Sequence, residues 1–331
     1  MKRKIQNHSG IVFAALVLLL CAASPVFSQA PQLKELQNRV DEFSEKLALT
    51  LPFNSTIGLN WSDAYIGQLL GVPPHFGAGL SLGFTTTDFG SFNELAGMFG
   101  FSLPLNFGGY PIPGYTVEGR IGGVILPFDV GLKFGYLPIK PEDWELDYFL
   151  IGGDFRYAIL KGSVTVPTVS VGVGYNYLSG GLAKDIGQPL SFGYTDLSSN
   201  AQTLTLSAPK VGLLWETSTL DFKAQISKSF LIVTPYLGIG LSHAWSKAGY
   251  KIESTIHSSG DLAVAKEAVK QYGIADLSDT GFSSIMSITG WSFRAFGGVS
   301  CNLPFFKIDL TGLFNFIDAR YGFTVGARFQ I

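Results

Sequence analysis

The last eleven residues of the chain alternate between apolar side chains and small or polar ones, and this pattern constrains the fold more than any other feature. A period of two predicts a β-strand with one apolar and one polar face. The runs 290–301 and 306–316 alternate in the same way. Three such runs, joined by turns, predict the closing strands of a transmembrane β-barrel. The barrel must be closed, because each unpaired backbone group in lipid costs several kcal/mol. The apolar positions of the final run are Tyr321, Phe323, Val325, Ala327, Phe329 and Ile331.

This aromatic-rich final strand resembles the terminal assembly signal of bacterial outer-membrane proteins. That signal usually ends in Phe or Trp, whereas this chain ends Phe329-Gln330-Ile331. The resemblance implies the outer membrane of a diderm bacterium as the location. It also implies two kinds of partner, which are outer-membrane lipids and the barrel assembly machinery that reads the C-terminal strand.

Residues 1–28 have the pattern of a secretory signal peptide. Lys2, Arg3 and Lys4 form its basic start, and residues 11–21 form its apolar core. The apolar run is short for the roughly 20 residues of a spanning helix. Pro25 also interrupts the end of the run, so cleavage after Ser28 is the favoured interpretation.

Composition narrows the function classes. Removal of residues 1–28 takes away three basic residues and no acidic one, which changes the formal charge from −2 to −5 and leaves no basic surface for nucleic acid. The 40 Gly, 27 Phe and 15% charged residues fit a barrel that faces lipid. Cys301 is then the one remaining cysteine, so no disulfide is expected. Without a phosphate loop, zinc motif or calcium loop, we expect no cofactor and no metal.

Residues 29–74 are predicted to form an N-terminal helix followed by a plug or a periplasmic cap. Apolar residues recur every three or four positions over 31–49, which indicates an amphipathic helix. Residues 51–74 are too apolar for a free linker and too broken by Gly and Pro to enclose their own core. Two interpretations stay open, a segment that enters the lumen and one that packs at the periplasmic mouth. The candidate plug residues are Trp61, Tyr65, Ile66 and Leu69.

Residues 75–331 are predicted to form an all-β, antiparallel transmembrane barrel of about twelve strands, with ten and fourteen as alternatives. Both barrel termini belong in the periplasm, so the number of strands should be even. In the twelve-stranded arrangement, the three longest connections (87–114, 179–201 and 257–289) all fall outside the cell. The apolar phase of the run 202–216 switches near Pro209, which predicts a β-bulge. A small helix is expected over 261–272.

Charged residues of both signs occupy the predicted inward face of strand after strand. They indicate either a lattice of ion pairs that satisfy one another or a pore lining that selects solutes by charge. Gly residues also recur on this face and leave room for water or an inserted segment. The candidate lumen-lining residues are Glu118, Arg120, Asp129, Lys133, Asp154, Arg156, Asp221, Lys223, Arg294, Lys307, Asp309 and Arg328.

An enzyme is not expected. The outer-membrane phospholipase family carries a His-x-Ser-Asn-Gly signature, whereas this chain has His257-Ser258-Ser259-Gly260 and His243-Ala244-Trp245-Ser246. Lipolysis therefore remains a remote alternative.

The layout of an apolar N-terminal segment before a Phe-rich barrel looks like the long-chain fatty-acid channels of outer membranes. That resemblance implies a hatch that plugs the lumen, although the Asn-Pro-Ala hatch motif is missing, the chain is shorter and that family has fourteen strands. We therefore expect a porin-like passive channel or transporter for small hydrophobic solutes. The alternative is a non-transporting barrel with a structural or adhesive role at the surface.

Overall fold

A computed structural model describes residues 30–87, 90, 109–140, 144–185, 189–195, 201–270, 278 and 280–331. The predicted signal peptide lies outside the described residues. The helices of the described part are α1 (Ala30–Asn54) and α2 (Leu262–Lys270). Neither is long and apolar enough to cross a membrane. Its strands are β1 (Phe76–Thr87), β2 (Tyr110–Gly122), β3 (Phe128–Ile139), β4 (Trp144–Lys161), β5 (Thr168–Asp185), β6 (Leu190–Thr195), β7 (Ala201–Ser227), β8 (Val233–Ser258), β9 (Gly281–Leu303), β10 (Phe306–Asn315) and β11 (Arg320–Gln330).

Ten of these strands close into an antiparallel barrel. Each strand pairs with its neighbours along the chain, β5 pairs with β7, and the first strand β1 pairs with the last strand β11. The short β6 pairs with the far end of β7, beyond the stretch of β7 that β5 covers. The prediction of twelve strands is therefore wrong in number, although the even count and the pairing of last strand with first hold.

Alternation in the sequence predicts separate strands over 202–216 and 218–228, and likewise over 231–245 and 250–256. The structure joins each pair into one long strand, the first pair as β7 and the second as β8. The bulge predicted near Pro209 is confirmed, because the register between β7 and β8 shifts between Ser207 and Lys210 and Ala208 has a positive φ of 47°.

The apolar face of β7 changes sides along the strand. The sequence pattern therefore predicts two strands where the structure has one. Phe222 and Ile226 point outward and are 44% and 42% exposed, whereas Val211 and Leu213 point inward and are buried. A strand needs an apolar outer face where it crosses lipid. Where it extends beyond the lipid it needs polar groups outside and apolar groups inside.

The barrel thus has two sections, separated on the outside by aromatic side chains. Trp245 and Trp291 are about half exposed and flank His243, with ring centroids 4.6 and 4.7 Å from the His243 ring. Trp is enriched at membrane–water interfaces. On one side of this belt the outer face is apolar, and on the other side β8 exposes Lys247 and Lys251.

We call the two ends of the barrel the turn end and the loop end. Short connections at 123–127, 162–167, 228–232 and 304–305 define the turn end, where both barrel termini also lie. The opposite end is the loop end, which is on the charged side of the Trp belt. It carries the three longest connections, from β1 to β2, from β5 to β7 and from β8 to β9, and also the short connections 140–143 and 316–319.

The C-terminal half of α1 and the residues that follow it lie inside the barrel. The helix is longer than the predicted 31–49, and its C-terminal half fills the apolar section at the loop end. Its buried side chains Phe43, Leu47, Ala48 and Leu51 form one core with wall residues. Those wall residues are Tyr148, Leu150, Leu178, Leu182, Leu213, Ala248 and Tyr250. Residues 55–66, which we call the lumenal segment, continue from the helix into the polar section at membrane depth.

Candidate functional site in the filled lumen

Inward-facing side chains of the membrane section form the polar interior of the barrel. The structure places eleven of the twelve lumen-lining candidates among the buried residues, and the twelfth, Lys307, is 18% exposed. Alternation along each strand explains this placement, because every second residue of a barrel strand points to the lumen. Buried charges are costly unless they are paired and hydrogen-bonded.

The first group of charges spans strands β2, β3, β4 and β7. Arg120 lies between two carboxylates, with Nη1 2.5 Å from Asp129 Oδ1 and Nη2 2.7 Å from Asp154 Oδ1. Arg156 makes a bidentate contact with Asp129 at 2.8 and 2.9 Å. Lys223, on β7 two strands away from β4, also pairs with Asp154. Three cations thus share two carboxylates, and main-chain carbonyl groups of the lumenal segment accept additional hydrogen bonds from them.

The second group depends on an acid that sequence reasoning did not single out. Asp63 of the lumenal segment accepts hydrogen bonds from Lys307 Nζ at 2.7 Å and Arg328 Nη2 at 2.9 Å. Lys307 and Arg328 are directly opposite each other on β10 and β11. Like charges in that position repel. Arg328 also pairs with Asp309, so two carboxylates offset two cations at this place.

The third group joins β7, β8 and β9. Arg294 Nη1 and Nη2 contact the two oxygens of Asp221 at 2.6 and 2.8 Å. Ser242 Oγ donates to Asp221 at 2.7 Å and accepts from Arg294. The wall alone supplies both charges of this ion pair, and the buried Nε of Arg294 is left without a hydrogen-bond partner.

Glu118 and Lys133 face the lumenal segment directly. Glu118 Oε2 accepts from the backbone N–H of Leu59 at 2.8 Å and from Trp61 Nε1 at 2.7 Å. Lys133 Nζ donates to the carbonyl oxygens of Ser55 and Ile57, both at 2.7 Å. The wall therefore supplies an anion for the donors of the segment and a cation for its acceptors.

The candidate plug residues differ in their placement. Trp61 and Ile66 are buried, and the Trp61 ring lies 5.6 Å from Arg120 and 4.7 Å from Arg328 in cation–π geometry. Tyr65 and Leu69 are partly buried. The backbone N–H groups of Ile66 and Leu69 bond to Asp129 and to the Gly123 carbonyl, at the turn end.

Glycine residues of the wall make the room for this segment. A methyl group placed at Gly114 would lie 2.7 Å from Ile57 Cδ1, and one placed at Gly131 would lie 2.8 Å from Leu59 Cδ2. At Gly77 it would lie 2.9 Å from the Trp61 ring. These distances are shorter than van der Waals contact, so the fit of the segment to the wall depends on the missing side chains.

One small cavity borders the lumenal segment. A cavity of about 10 Å³ lies between the segment and Lys133, Asp154, Lys223 and Arg294. That is roughly the volume needed for one water molecule. In this conformation the interior is a packed polar core.

The two histidines that were compared with the phospholipase signature lie apart from the lumen. His243 packs between two Trp rings on the outer surface. His257 lies near the loop end of β8 and points outward. Within the described part of the chain, no group of three or more His, Cys, Asp or Glu residues is placed to hold a metal ion.

Comparisons with known proteins give fold-level matches at low scores. No family model matches the chain, and no curated protein matches it. The outer membrane protease OmpT from Escherichia coli is similar over 78% of this chain and 97% of its own, with a TM-score of 0.39 and 10% identity. The attachment invasion locus protein Ail of Yersinia pestis covers the same shares, with a TM-score of 0.23 and 13% identity. The toluene transporter TbuX of Ralstonia pickettii is similar over 77% of this chain and 88% of its own, with a TM-score of 0.24 and 10% identity.

Proposed function

We propose that this protein is an integral outer-membrane channel for small solutes, which its own N-terminal segment holds closed. The closed barrel, the apolar outer band and the Trp belt support a place in a membrane. The alternating C-terminal strand and its pairing with β1 support assembly by the outer-membrane barrel machinery. Outer-membrane lipids would cover the exposed apolar residues of the membrane section.

One observation carries the gating part of the proposal. Glu118 and Lys133 are direct cross-strand neighbours, so the wall offers each of them an opposite charge if the lumenal segment leaves. Arg120, Arg156, Arg294 and Arg328 likewise have carboxylate partners on the wall. An emptied lumen would thus keep most of its charges paired, which lowers the cost of opening.

The chemistry of the lining favours polar solutes over the hydrophobic ones expected from the sequence. At membrane depth most of the lumen is lined by ionic side chains, beside a small apolar patch of Tyr236, Phe296 and Leu313 that packs on Phe53. The larger apolar part of the wall lies nearer the loop end, where α1 covers it. A hydrophobic solute would have to displace both the helix and the ion pairs. Small polar or charged solutes are therefore the better candidates.

A non-transporting surface barrel is the second candidate. It is favoured by the packing of Phe43, Leu47 and Leu51 against the apolar wall, because that contact forms a core of the usual kind. A helix held in this way would stay in place, and the long strands β7, β8 and β9 would then serve as the working surface outside the cell.

A reversible lock on α1 tests the channel directly. Thr50 Oγ1 and Thr87 Oγ1 are 2.7 Å apart, so cysteines at these positions can form a disulfide between the helix and β1. The variant is Thr50→Cys/Thr87→Cys in a Cys301→Ser background. We expect openings in planar bilayers when it is reduced and none when it is oxidised, with Cys301→Ser alone insensitive to reductant. A reduced variant that never opens would contradict the channel and favour the surface barrel.

A further inference from the structure

We infer that the described chain runs through the barrel from the cell surface to the periplasm, so that the start of α1 is presented outside the cell. This inference concerns the path of the chain and holds whether or not the barrel conducts. It assigns to the start of α1 the role of a surface element that is joined to the lumenal segment without a break.

Contacts of α1 place it at the loop end. Ser284, in the part of β9 nearest the loop end, donates a hydrogen bond to Asp41 at 3.0 Å. Further along the helix, Thr50 contacts Thr87, which is the last residue of β1. Asn54 Nδ2 then donates to Thr85 Oγ1 and to the Ile112 carbonyl, close to the loop end of β1 and β2. The helix therefore begins near the rim of the loop end and descends into the barrel.

Contacts of the following residues continue the descent to the opposite end. The backbone N–H of Ala64 bonds to Ser227, which is the last residue of β7 at the turn end. The N–H of Leu69 bonds to the Gly123 carbonyl in the turn between β2 and β3. His75 Nδ1 lies 3.2 Å from the carbonyl oxygen of Ile331. The chain thus leaves the lumen at the turn end and enters β1 there.

The two ends of the barrel can be assigned to the two sides of the membrane. Outer-membrane barrels have short turns in the periplasm and longer loops outside the cell. The loop end also extends past the Trp245 and Trp291 belt and exposes Lys247 and Lys251 on its outer face. Exposed cations are placed in water beyond the interface and are costly in the apolar band. The loop end is therefore extracellular, and the start of α1 lies with it.

This path gives an external molecule access to α1, the helix that leads into the lumenal segment. Phe43, Leu47 and Leu51 pack the helix against the inner side of the wall. The lumenal segment follows directly after Asn54. A binder that holds or draws the start of α1 would act on the lumenal segment through the helix itself. The surface that it would meet includes Asn38, which is exposed.

Labelling of single cysteines in intact cells tests the path. In a Cys301→Ser background, Asn38→Cys is compared with Lys251→Cys at the loop end and Thr165→Cys at the turn end, because all three native side chains are exposed. Shifted gel mobility on heating would verify that each variant is a folded barrel. A membrane-impermeant maleimide should label positions 38 and 251 in intact cells, and position 165 only after permeabilisation.

Each other result would overturn the inference. Labelling of position 38 only after permeabilisation, together with position 165, would put the start of α1 in the periplasm. Labelling of position 165 in place of position 251 would show that the barrel has the opposite orientation in the membrane. A folded variant whose position 38 stays unlabelled even after permeabilisation would show that this part of α1 is not presented. None of these outcomes depends on conductance, so failure here is distinct from failure of the channel.

Discussion

Glu118 on β2 and Lys133 on β3 are direct cross-strand neighbours, and Gly58 of the lumenal segment lies between their side chains. A methyl group at Gly58 would be 3.1 Å from both Glu118 Oε1 and Lys133 Cδ. The carboxylate and the ammonium both bond to the backbone of the segment, and Glu118 also accepts from Trp61. Opposite charges on neighbouring strands normally stabilise each other. Here both charged groups also bind the lumenal segment, which is not part of the sheet.

The Glu118→Gln substitution should loosen the lumenal segment. The amide keeps the shape of the carboxylate but loses the charge that receives Leu59 N–H and Trp61 Nε1. We expect a loss of about 1.5–3 kcal/mol in unfolding free energy, which is the range for hydrogen bonds to charged groups. The measurement is the urea midpoint of the barrel in detergent.

The double variant Glu118→Gln/Lys133→Met is the control for coupling between the two residues. Removing both buried charges is less costly than removing one, because no unpaired charge is left behind. The double variant should therefore be more stable than the sum of the two single losses predicts. Strictly additive losses would mean that the two side chains do not sense each other.

The depth of the apolar band can be tested with one substitution at two heights. Leu132 is 67% exposed within the membrane section, and Leu132→Arg should cost about 2–4 kcal/mol, the penalty for a cation near mid-membrane. Leu214 also points outward and is 41% exposed, but it lies beyond the Trp belt. Leu214→Arg should therefore cost much less. Equal losses in lipid-refolding equilibria would show that the belt does not mark the membrane boundary.

Gly114 and Ile57 offer a direct test of the fit between wall and segment. A methyl group at Gly114 would be 2.7 Å from Ile57 Cδ1, and its next neighbour would be 3.4 Å away at the Tyr148 hydroxyl. Gly114→Ala should cost about 1–3 kcal/mol by overpacking. Ile57→Ala alone should cost about 2–5 kcal/mol by opening a cavity.

In the double variant the new methyl group occupies space that Ile57 has vacated. Unfolding free energies of the four proteins in this double-mutant cycle should give a favourable coupling of more than about 0.5 kcal/mol. A coupling near zero would place Ile57 away from Gly114 and thus contradict the position of the segment in the lumen.

Period-two alternation predicted much of the wall and failed at identifiable places. It located β10 and β11 closely, because these strands keep one environment on each face along their length. It divided β7, because Val211 and Leu213 face the helix α1 while Phe222 and Ile226 face lipid. A change of apolar face within one strand and a break between two strands give the same sequence pattern. The pattern alone therefore does not separate ten strands from twelve.

The sequence predicted which charged side chains face the lumen, but not which groups they bind. Alternation marked Glu118 and Lys133 as inward-facing, yet apart from Trp61 their partners in the lumenal segment are backbone groups of Ser55, Ile57 and Leu59, which carry no signal in the sequence. Asp63 was missed because it stands alone in a segment with no periodic pattern. Its importance follows from Lys307 and Arg328 being opposite each other, which requires the register of β10 with β11.

The Asp63→Asn substitution should release the lumenal segment at its most strongly charged contact. It removes the carboxylate between Lys307 and Arg328, so these two cations are left opposite each other with Asp309 as the remaining acid of the group. We expect a loss of about 3 kcal/mol, the lower end of the range for breaking a buried pair, since Lys307 is 18% exposed. If the protein is a channel, its open probability in planar bilayers should rise at the same time.

Two control variants accompany this test. Asp63→Asn/Lys307→Gln also removes the repulsion between the two cations and should recover part of the stability. Glu253→Gln, in an exposed pair with Lys251, should change neither measurement. Should Asp63→Asn match the unaltered protein in both stability and conductance, the ion pairs of Asp63 would have no part in seating the segment.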